Sequence, residues 1–497
     1  MMTYDERRTT QVLIAGAGPA GLTAAIALGR QGIDTLVVDR KRELSCLPRA
    51  TVISTRSMEL LRSWGLEQDI LAGAIDVEWR MWNCESLALA SAGSGVPVGL
   101  PTREQSAVVS PAAPECVPQD HTERVLLDHA RSLGSVRVEL GTEVAGVESD
   151  ADGARVVLRD SAGSASQVVD ARYLIAADGA HSTVRNELGI AVHGPGGFMH
   201  AASVLFRAPL WDVAGAHRYG IYDIGHPEAP GALLPAGRGD RWIYGVRWEP
   251  GTRQLEEFTE EAFTRLIRLA TGVADLQPEI LRIGGFSFAA QLAERFRSGS
   301  TFLVGDAAHR VSPRGGTGMN TAIHDGFDLG WKLAWVLRGW ARPELLDSYE
   351  RERRPVAEHN LARSADPNGS VRDVGRELRA DLGDRIGHVW VPVPAGRVST
   401  LDLLSEGLTL FTGPQSSRWE SGAASAPGSL PVAVRRLDAI AARALGIRIG
   451  GALLTRPDGA PAGWWSSSAD AVPGLHAAVR AIGALGARTA QAELAVA

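Results

Sequence analysis

The sequence predicts an α/β protein with a discontinuous parallel-sheet domain, an antiparallel-sheet domain and a small C-terminal α/β domain. Three observations carry this prediction. Residues 11–39 follow the pattern strand, glycine-rich turn, helix, strand. Buried-strand patterns that run into a glycine return at YLIAADG and TFLVGD, far along the chain. Between them, alternating aromatic-bearing stretches over 200–290 are typical of an antiparallel sheet.

The bulk composition indicates a folded globular enzyme or binding protein and excludes several other classes. A length of 497 residues predicts two or three domains, and 45% apolar with 22% charged residues is close to the globular average. The net charge of -6, without a cluster of Lys or Arg, argues against a nucleic-acid partner.

Cysteine usage and hydropathy favour a cytoplasmic location. The three cysteines, Cys46, Cys84 and Cys116, form no CxxC pair, so neither a disulfide framework nor a zinc site is predicted. The polar start MMTYDERRTT does not resemble a signal peptide. The sequence contains no uninterrupted apolar run of about 18 residues, so no membrane span is predicted.

The glycine turn after the first strand predicts binding of a dinucleotide. Gly16, Gly18 and Gly21 have GxGxxG spacing, which suits a tight turn, close approach of a pyrophosphate, and close packing of helix on strand. The next strand ends in Asp39, where a carboxylate binds a ribose hydroxyl. An acid at this position favours an unphosphorylated ribose, as in FAD or NAD. We include the adjacent Arg40 among the cofactor-binding candidates.

A second nucleotide-binding pattern lies at TFLVGDAAHRVSPRGGTGMN. Asp306 ends the strand and can bond a polyol chain, while a helix predicted to begin near Met319 aims its amides at a developing negative charge. His309 and His324 have no companions at metal-ligand spacing, so we interpret them as structural and predict no metal site.

Three motifs together resemble the fingerprints of the para-hydroxybenzoate hydroxylase family of class A flavoprotein monooxygenases. They are GAGPAG, the DG of AADGAHSTVR, and GDAAHRVSPRGGTGMN. The likeness runs from residue 10 to about 365 and includes PRATVISTRSMELLRSWGL and LLDSYERERRPVAEHN. The last hundred residues resemble the thioredoxin-like C-terminal domain of longer members, without CxxC. The resemblance identifies the nucleotide as FAD in a Rossmann-like domain.

The resemblance also implies roles for individual residues. Asp306 would hold the FAD ribityl chain, and Asp178 with Gly179 would serve both FAD and the nicotinamide nucleotide. Arg49 would contact the pyrophosphate side and Gln119 the ribityl chain. The flavin ring would be lined by Pro313, Gly318, Met319 and Asn320.

In such enzymes NADPH or NADH reduces FAD, dioxygen forms a C4a-hydroperoxide, and its distal oxygen passes to an electron-rich ring. The protein supplies position, a dry pocket and donors for negative charge. The resemblance implies a phenolic, polycyclic polyketide or related substrate, acted on by a monomer or homodimer. Two alternatives remain: a Baeyer–Villiger or epoxidising flavoenzyme, and a non-catalytic FAD protein that sequesters a ligand.

Substrate residues are nominated from the antiparallel stretch. Trp242 and Tyr244 alternate on one face, and Tyr222 lies on a neighbouring strand, so these rings are candidates to face the substrate. Arg314 adds a charge to a loop that is often neutral in the family; it faces either solvent or an anionic ligand. Trp331 and Trp335, at i and i+4, are predicted to be core residues.

Domain bounds and helices complete the prediction. Helices are expected near 256–271, 320–338, 343–364 and 471–484, at 122–134 with Thr122 as N-cap, and at 431–446. The FAD-binding domain with its closing helices is assigned to 1–75, 105–192 and 285–395, the substrate domain to 76–104 and 193–284, and the C-terminal domain to 396–497.

Overall fold

The computed structural model describes residues 8–160, 163, 166–252, 254–394, 396–469 and 471–484. Predictions that concern 1–7 or 485–497, including the outer ends of the first and last assigned domains, lie outside these residues. Within the described part, no helix combines the length and the apolar character needed to cross a membrane.

The first 190 residues alternate strands with helices. The strands are β1 (Arg8–Ala15), β2 (Thr35–Asp39), β3 (Val52–Ile53), β4 (Glu78–Cys84), β5 (Ser94–Pro97), β6 (Glu115–Cys116), β7 (Val136–Leu140), β8 (Thr142–Ser149), β9 (Ala154–Asp160) and β10 (Ser166–Ala176). The helices are α1 (Pro19–Arg30), α2 (Thr55–Ser63), α3 (Glu67–Leu71), α4 (Arg103–Ala107), α5 (Gln119–Ser132) and α6 (Thr183–Glu187).

The next hundred residues are mainly strands. They are β11 (Val192–His193), β12 (Gly196–Arg207), β13 (Tyr219–Ile224), β14 (Gly231–Pro235), β15 (Arg241–Trp248) and β16 (Glu279–Ala289). Two helices interrupt them, α7 (Leu210–Ala214) and α8 (Glu260–Thr271).

From residue 291 the chain returns to mixed structure. The strands are β17 (Gln291–Ala293), β18 (Arg297–Ser298), β19 (Thr301–Leu303), β20 (His309–Arg310), β21 (Trp390–Val393), β22 (Gly396–Ser399), β23 (Leu408–Thr412), β24 (Val432–Arg436), β25 (Ala452–Thr455) and β26 (Pro461–Trp465). The helices are α9 (Gly318–Leu337), α10 (Asp347–Ala365), α11 (Val374–Leu382), α12 (Ser417–Ala424), α13 (Ala439–Ala444) and α14 (Ala471–Ala484).

A mixed sheet forms the centre of the nucleotide-binding region. Its main path runs β18-β19-β10-β1-β2-β7, with β9 pairing β10 and β8 pairing β9. The strands from β19 to β7 run parallel, and the buried parts of β1, β2, β10 and β19 are mainly apolar, as expected where both faces of a sheet are covered. Helices α1 and α9 pack closely: a Cβ at Gly326 would lie 2.2 Å from the Ala20 carbonyl oxygen. This contact brings the start of α9 close to the glycine turn.

The second large sheet has seven strands in the order β16-β12-β15-β14-β13-β4-β5. All its neighbours are antiparallel except β13 and β4. One face, the closed face, packs on α7 and α8 through a core that includes Phe206, Trp242 and Phe263. Because side chains alternate along a strand, Arg241 and Ile243 point to the opposite side, which we call the open face. Arg241 reaches from it to Asp120 at the start of α5 (2.9 Å), so the open face looks toward the nucleotide-binding region.

The C-terminal region is built on a four-stranded sheet in the order β24-β23-β25-β26. The helix predicted at 431–446 is wrong: its first part is strand β24, paired parallel with β23, and only Ala439–Ala444 is helical. The local alanine-rich pattern was overridden by pairing with a buried neighbour. Trp331 and Trp335 of α9 join the core under this sheet, which confirms that they are core residues.

A buried charge network links this region to α9 and α10. The Lys332 ammonium donates to Asp328 (2.7 Å) and Glu352 (2.8 Å), and Arg456 pairs with Glu352 (2.9 Å) and Asp458. Asp328, Glu352 and Asp458 are close enough together to suit a cation, but Lys332 and Arg456 already pair with all three carboxylates.

The start of α5 also differs from the prediction. Thr122 is not the N-cap, because the helix begins at Gln119 with Pro118 as the capping residue. The Thr122 hydroxyl instead donates to the Pro118 carbonyl within the first turn (3.3 Å). The earlier start places Gln119 at the helix N-terminus.

Candidate flavin and substrate site

Three sequence motifs that are far apart in the chain meet at one edge of the parallel sheet. Strands β1, β10 and β19 are neighbours, with Ala15 beside Ala176 and Ala176 beside Leu303. Their carboxyl ends therefore lead side by side into GAGPAG, into Asp178–Gly179 and into Gly305–Asp306. Ligands of open α/β sheets bind at this edge, where the loops diverge.

The glycine turn packs tightly against the protein at Gly16 and has free space beside Gly18. At Gly16, whose φ is +110°, a Cβ would lie 2.2 Å from the Ala177 carbonyl oxygen, so this position requires glycine. A Cβ at Gly18 would have no atom within 4 Å, and no side chain caps the start of α1 there. The helix N-terminus therefore presents free amides and a positive dipole to open space, which suits a pyrophosphate.

Asp39 fixes this turn from the end of β2. Its carboxylate accepts hydrogen bonds from the backbone amides of Ala17 and Lys41, both at 2.8 Å. A carboxylate has about four acceptor sites, so capacity remains for a ribose hydroxyl. Arg40 is exposed next to it.

Asp306, in the turn after β19, offers its carboxylate to a ligand. Among the described residues, none donates a hydrogen bond to its side chain, which is accessible to solvent. The surrounding protein atoms raise the pKa of Asp306 by desolvation, and the positive charges of His309, Arg310 and Arg49 only partly oppose the shift. An accessible carboxylate with free acceptor sites is suited to a hydroxyl-rich ligand.

Arg49 and Gln119 are brought together although 70 positions separate them. The Gln119 amide donates to the Ala50 carbonyl (2.8 Å), beside the β3–β6 pair. The Gln119 side chain donates to Glu123 (2.7 Å), and burial raises the pKa of Glu123. The sequence reasoning missed Glu123, which orients Gln119 from one turn further along α5.

Asp178 and Gly179 form the second loop of this edge. One Asp178 oxygen accepts from the Val184 amide (3.1 Å), and the other is buried and has no hydrogen-bonding partner in the described part of the chain. Burial raises the pKa of this carboxyl group. Arg185, also missed, donates to the carbonyls of Ala307 and Ala180, both at 3.1 Å, and so joins this loop to the Asp306 loop.

The third motif ends in the segment 312–318, which we call the flavin loop, and in the start of α9. No side chain of the described residues caps α9, so the first-turn amides of Gly318, Met319 and Asn320 are directed out of the helix end. Pro313 is exposed and Met319 is buried. The Asn320 side chain binds backbone: it donates to Val52 (3.1 Å) and Gly316 (2.9 Å) and accepts from Ser54 (2.8 Å).

A buried ion network in α9 holds the Asp306 loop in place. Asp325 accepts from the Gly305 amide (3.1 Å), His309 (2.5 Å) and Arg353 (2.7 Å). Burial alone would raise the pKa of Asp325, but His309 and Arg353 lower it to about 2. The sequence reasoning missed Asp325, because the local sequence HDG at 324–326 gives no indication of a buried ion network. His324 bonds Ser57 (3.0 Å), and neither histidine belongs to a cation-binding cluster among the described residues.

The three rings nominated for the substrate lie on the closed face, so that nomination needs correction. Tyr222, Trp242 and Tyr244 are all 0% exposed and belong to the core against α8. The Tyr244 hydroxyl donates to the Ala229 carbonyl (2.6 Å), and the Tyr222 hydroxyl to the His217 carbonyl (2.5 Å). The alternation was read correctly, but apolar rings prefer the face that is shielded by helices.

The open face carries a different set of aromatic residues, next to the flavin loop. Phe286 and Phe288 of β16 stack with their centroids 5.6 Å apart, and Phe198 of β12 meets Phe288 edge-on at 6.2 Å. Phe286 is 41% and Phe198 36% exposed. Arg314 lies between this cluster and the end of α10. The loop is also joined to β16 by Arg310, which donates to the Ser287 carbonyl (3.1 Å) and hydroxyl (3.0 Å).

The residues at the sheet edge fit FAD. Uncapped α1 amides suit a pyrophosphate, the unpartnered Asp306 carboxylate suits a ribityl hydroxyl, and uncapped α9 amides suit the electron-rich end of a flavin ring. This arrangement, beside an open aromatic sheet face, defines an FAD-dependent oxidoreductase of small aromatic molecules.

Comparison with known families supports this class of protein. The family model described as FAD binding domain matches residues 9–364, and the model described as aromatic-ring hydroxylase, C-terminal, matches residues 379–484. The chain therefore belongs to the FAD-dependent aromatic-ring hydroxylases, a family of flavoprotein monooxygenases. FAD is the bound cofactor, and NADPH or NADH the transient reductant.

Similar proteins share nearly the whole length. Aklavinone 12-hydroxylase of Streptomyces peucetius subsp. caesius is 35% identical over 84% of this chain and 94% of its own. Tetracenomycin A2 monooxygenase-dioxygenase of Streptomyces glaucescens is 33% identical over 90% of this chain and 92% of its own. A ternary complex of aklavinone-11 hydroxylase with FAD and aklavinone superimposes with a TM-score of 0.85 at 31% identity, covering 96% of this chain and all of that one.

Proposed function

We propose that this enzyme hydroxylates a phenolic ring of a polycyclic aromatic polyketide or a related natural product, with NADPH or NADH as reductant and O2 as the oxygen source. The observation that carries the proposal is the exposed aromatic cluster of the open face, placed beside the flavin loop. Similarity to hydroxylases named for aklavinone and tetracenomycin supports the same substrate class.

The proposal assigns cofactor contacts residue by residue. Gly16 and Gly21 allow the turn to pack closely, so that the open space beside Gly18 can take the pyrophosphate at α1. Asp39 and Arg40 lie on the ribose side. Bound FAD supplies the redox and oxygen-transfer chemistry. The remaining contacts come from the other two motifs and the segment before α5: Arg49, Gln119, Asp178, Gly179, Asp306, Pro313, Gly318, Met319 and Asn320.

Within these contacts, the chain itself performs three tasks. The Asp306 carboxylate accepts a hydrogen bond from a ribityl hydroxyl and so orients the cofactor. The first-turn amides of α9 stabilise negative charge at the ring, a task for backbone rather than for the Asn320 side chain, which is already bonded. The phenylalanines of the open face and the flavin loop pack against the substrate ring and so exclude water from it.

The test is turnover with a panel of polycyclic phenols under 18O2. We expect that a member of the panel stimulates NAD(P)H oxidation and leaves as a ring-hydroxylated product carrying one 18O atom. An ester or lactone with inserted oxygen would instead identify a Baeyer–Villiger enzyme, and an epoxide an epoxidising one. Tight binding without any stimulated NAD(P)H oxidation would favour ligand sequestration.

A further inference from the structure

We propose that Arg314, together with Phe198, Phe286 and Phe288, forms an anion-recognising subsite for a planar polycyclic substrate that carries a phenolate or carboxylate. This inference rests on the proposed function and deepens it by specifying the charge of the substrate. Arg314 then acts as a specificity-determining residue.

The aromatic part of this subsite is an exposed platform. Phe286 and Phe288 are nearly parallel, at 16°, and Phe198 stands almost perpendicular to Phe288, at 85°. Aromatic rings that are exposed on a sheet face at a domain junction gain the favourable free energy of burial only when another molecule covers them. A planar fused-ring molecule offers the matching flat apolar surface, and offset or edge-on ring contacts stabilise such pairing.

Arg314 is held at the edge of the platform by the end of α10. Its Nη1 donates to the carbonyls of Ser364 and Asp366, both at 3.0 Å. Its guanidinium carbon lies 5.7 Å from the centroids of both Phe198 and Phe288. Helix-end carbonyls attract a cation, so this anchoring fixes the side chain and does not neutralise its charge.

The rest of the guanidinium is available to a ligand. Among the described residues, none accepts a hydrogen bond from Nε or Nη2 of Arg314. The nearby Asp366 carboxylate is engaged by Arg372 (2.8 Å). An anchored guanidinium with unused donors is suited to an oxyanion, because charge-assisted bonds from Arg are strong and directional.

The position of Arg314 within the flavin loop indicates that the ligand of this subsite is the substrate. Arg314 follows Pro313 directly and is four residues before the helix start at Gly318. A ring seated on the phenylalanines with its anion at Arg314 therefore lies beside the cofactor edge, where a substrate belongs. The phosphate of a nicotinamide nucleotide would engage Arg314 without needing the phenylalanine platform.

The test titrates the oxidised holoenzyme with two matched probes, anthraquinone-2-carboxylate and anthraquinone-2-carboxamide, and follows the bound-flavin absorbance. We expect the wild type to bind the carboxylate about tenfold more tightly than the carboxamide. Arg314→Gln should abolish that preference, and Arg314→Lys should retain part of it. Phe286→Leu should weaken both probes about equally, by roughly threefold.

Arg207→Gln is the matched control, since Arg207 lies at the far end of β12 in an exposed pair with Glu279. It should leave both Kd values unchanged. An unchanged preference in Arg314→Gln, no preference or no binding in the wild type, or an effect of Arg314→Gln confined to the Kd for NADP+ would each overturn the subsite. If Arg314→Gln loses flavin, the wild-type preference and Arg314→Lys still decide the question. The titration needs no turnover, so its failure is distinct from that of the turnover panel.

Discussion

The edge of the parallel sheet and the open face of the seven-stranded sheet hold their functional groups in different ways. At the sheet edge, groups are fixed by backbone and buried charge: Asp39 binds two amides, and Asp325 binds the loop of Asp306. On the open face, Phe286 and Phe198 are exposed side chains without hydrogen-bonding commitments. The first region tolerates little change, whereas the second can be altered without loss of the fold.

This difference matches the two tasks of the enzyme. The cofactor is the same in every turnover, so a rigid, pre-organised edge lowers the entropic cost of binding it. A substrate surface made of exposed rings fixes less of the surrounding structure. We therefore expect substitutions at the sheet edge to remove cofactor or stability, and substitutions on the open face to change ligand preference.

The largest effect is expected from Asp306→Ala. Because the carboxylate has no protein partner among the described residues, its removal costs the fold little but deprives FAD of a hydrogen-bond acceptor. Most of the purified variant should be apoprotein, measured as the ratio of absorbance at 450 nm to that at 280 nm. The control is Asp223→Ala, which removes an exposed carboxylate from β13 and should keep normal flavin content. Normal flavin content in Asp306→Ala would disprove the ribityl assignment.

A smaller effect, on stability, is expected from Asp325→Asn. Loss of the charge of Asp325, which is fully buried and pairs with Arg353, should lower the free energy of unfolding by about 3 kcal/mol at pH 7. The pKa of Asp325 is about 2, below its ordinary value of 3.8, so its stabilisation is complete above pH 4 and is lost as the pH falls toward 2. The gap between wild type and variant should therefore narrow by roughly 1 kcal/mol from pH 7 to pH 3.

Urea unfolding at the two pH values measures this gap. Glu279→Gln, which breaks an exposed pair with Arg207, serves as control and should change stability by less than about 1 kcal/mol. A gap that widens toward pH 3 would contradict the ionised state of Asp325.

The sheet edge could be predicted from sequence because its geometry is dictated by backbone. Gly16 must be glycine against Ala177, Asp39 ends β2, and Asp306 directly follows Gly305 in the turn after β19. Asp325, Arg185 and Glu123 could not be found in the same way. Asp325 and Arg185 act through partners distant in sequence, whereas Glu123 acts on Gln119 one turn away. In all three cases a single charged residue in a helix or short turn is usually a solvated surface group.

The open face was predicted less well because alternation indicates two faces but not which one is covered. Trp242 and Tyr244 were correctly placed on one side of β15, yet the side was decided by α8, which packs there. A similar limit applies to β24, where pairing with β23 replaced the helix suggested by composition. In both places the missing information is tertiary contact.

The smallest effect distinguishes the two faces of one sheet. Tyr244→Phe removes the hydroxyl that donates to the Ala229 carbonyl and should destabilise the protein by about 1 kcal/mol, since a buried acceptor loses its partner. Its ring remains in the core, so the Kd for an anthraquinone ligand should not change. Phe286→Leu should do the reverse, weakening the ligand while leaving unfolding within about 0.5 kcal/mol of wild type. Weaker ligand binding by Tyr244→Phe, at full flavin content, would mean that the closed face also reaches the substrate.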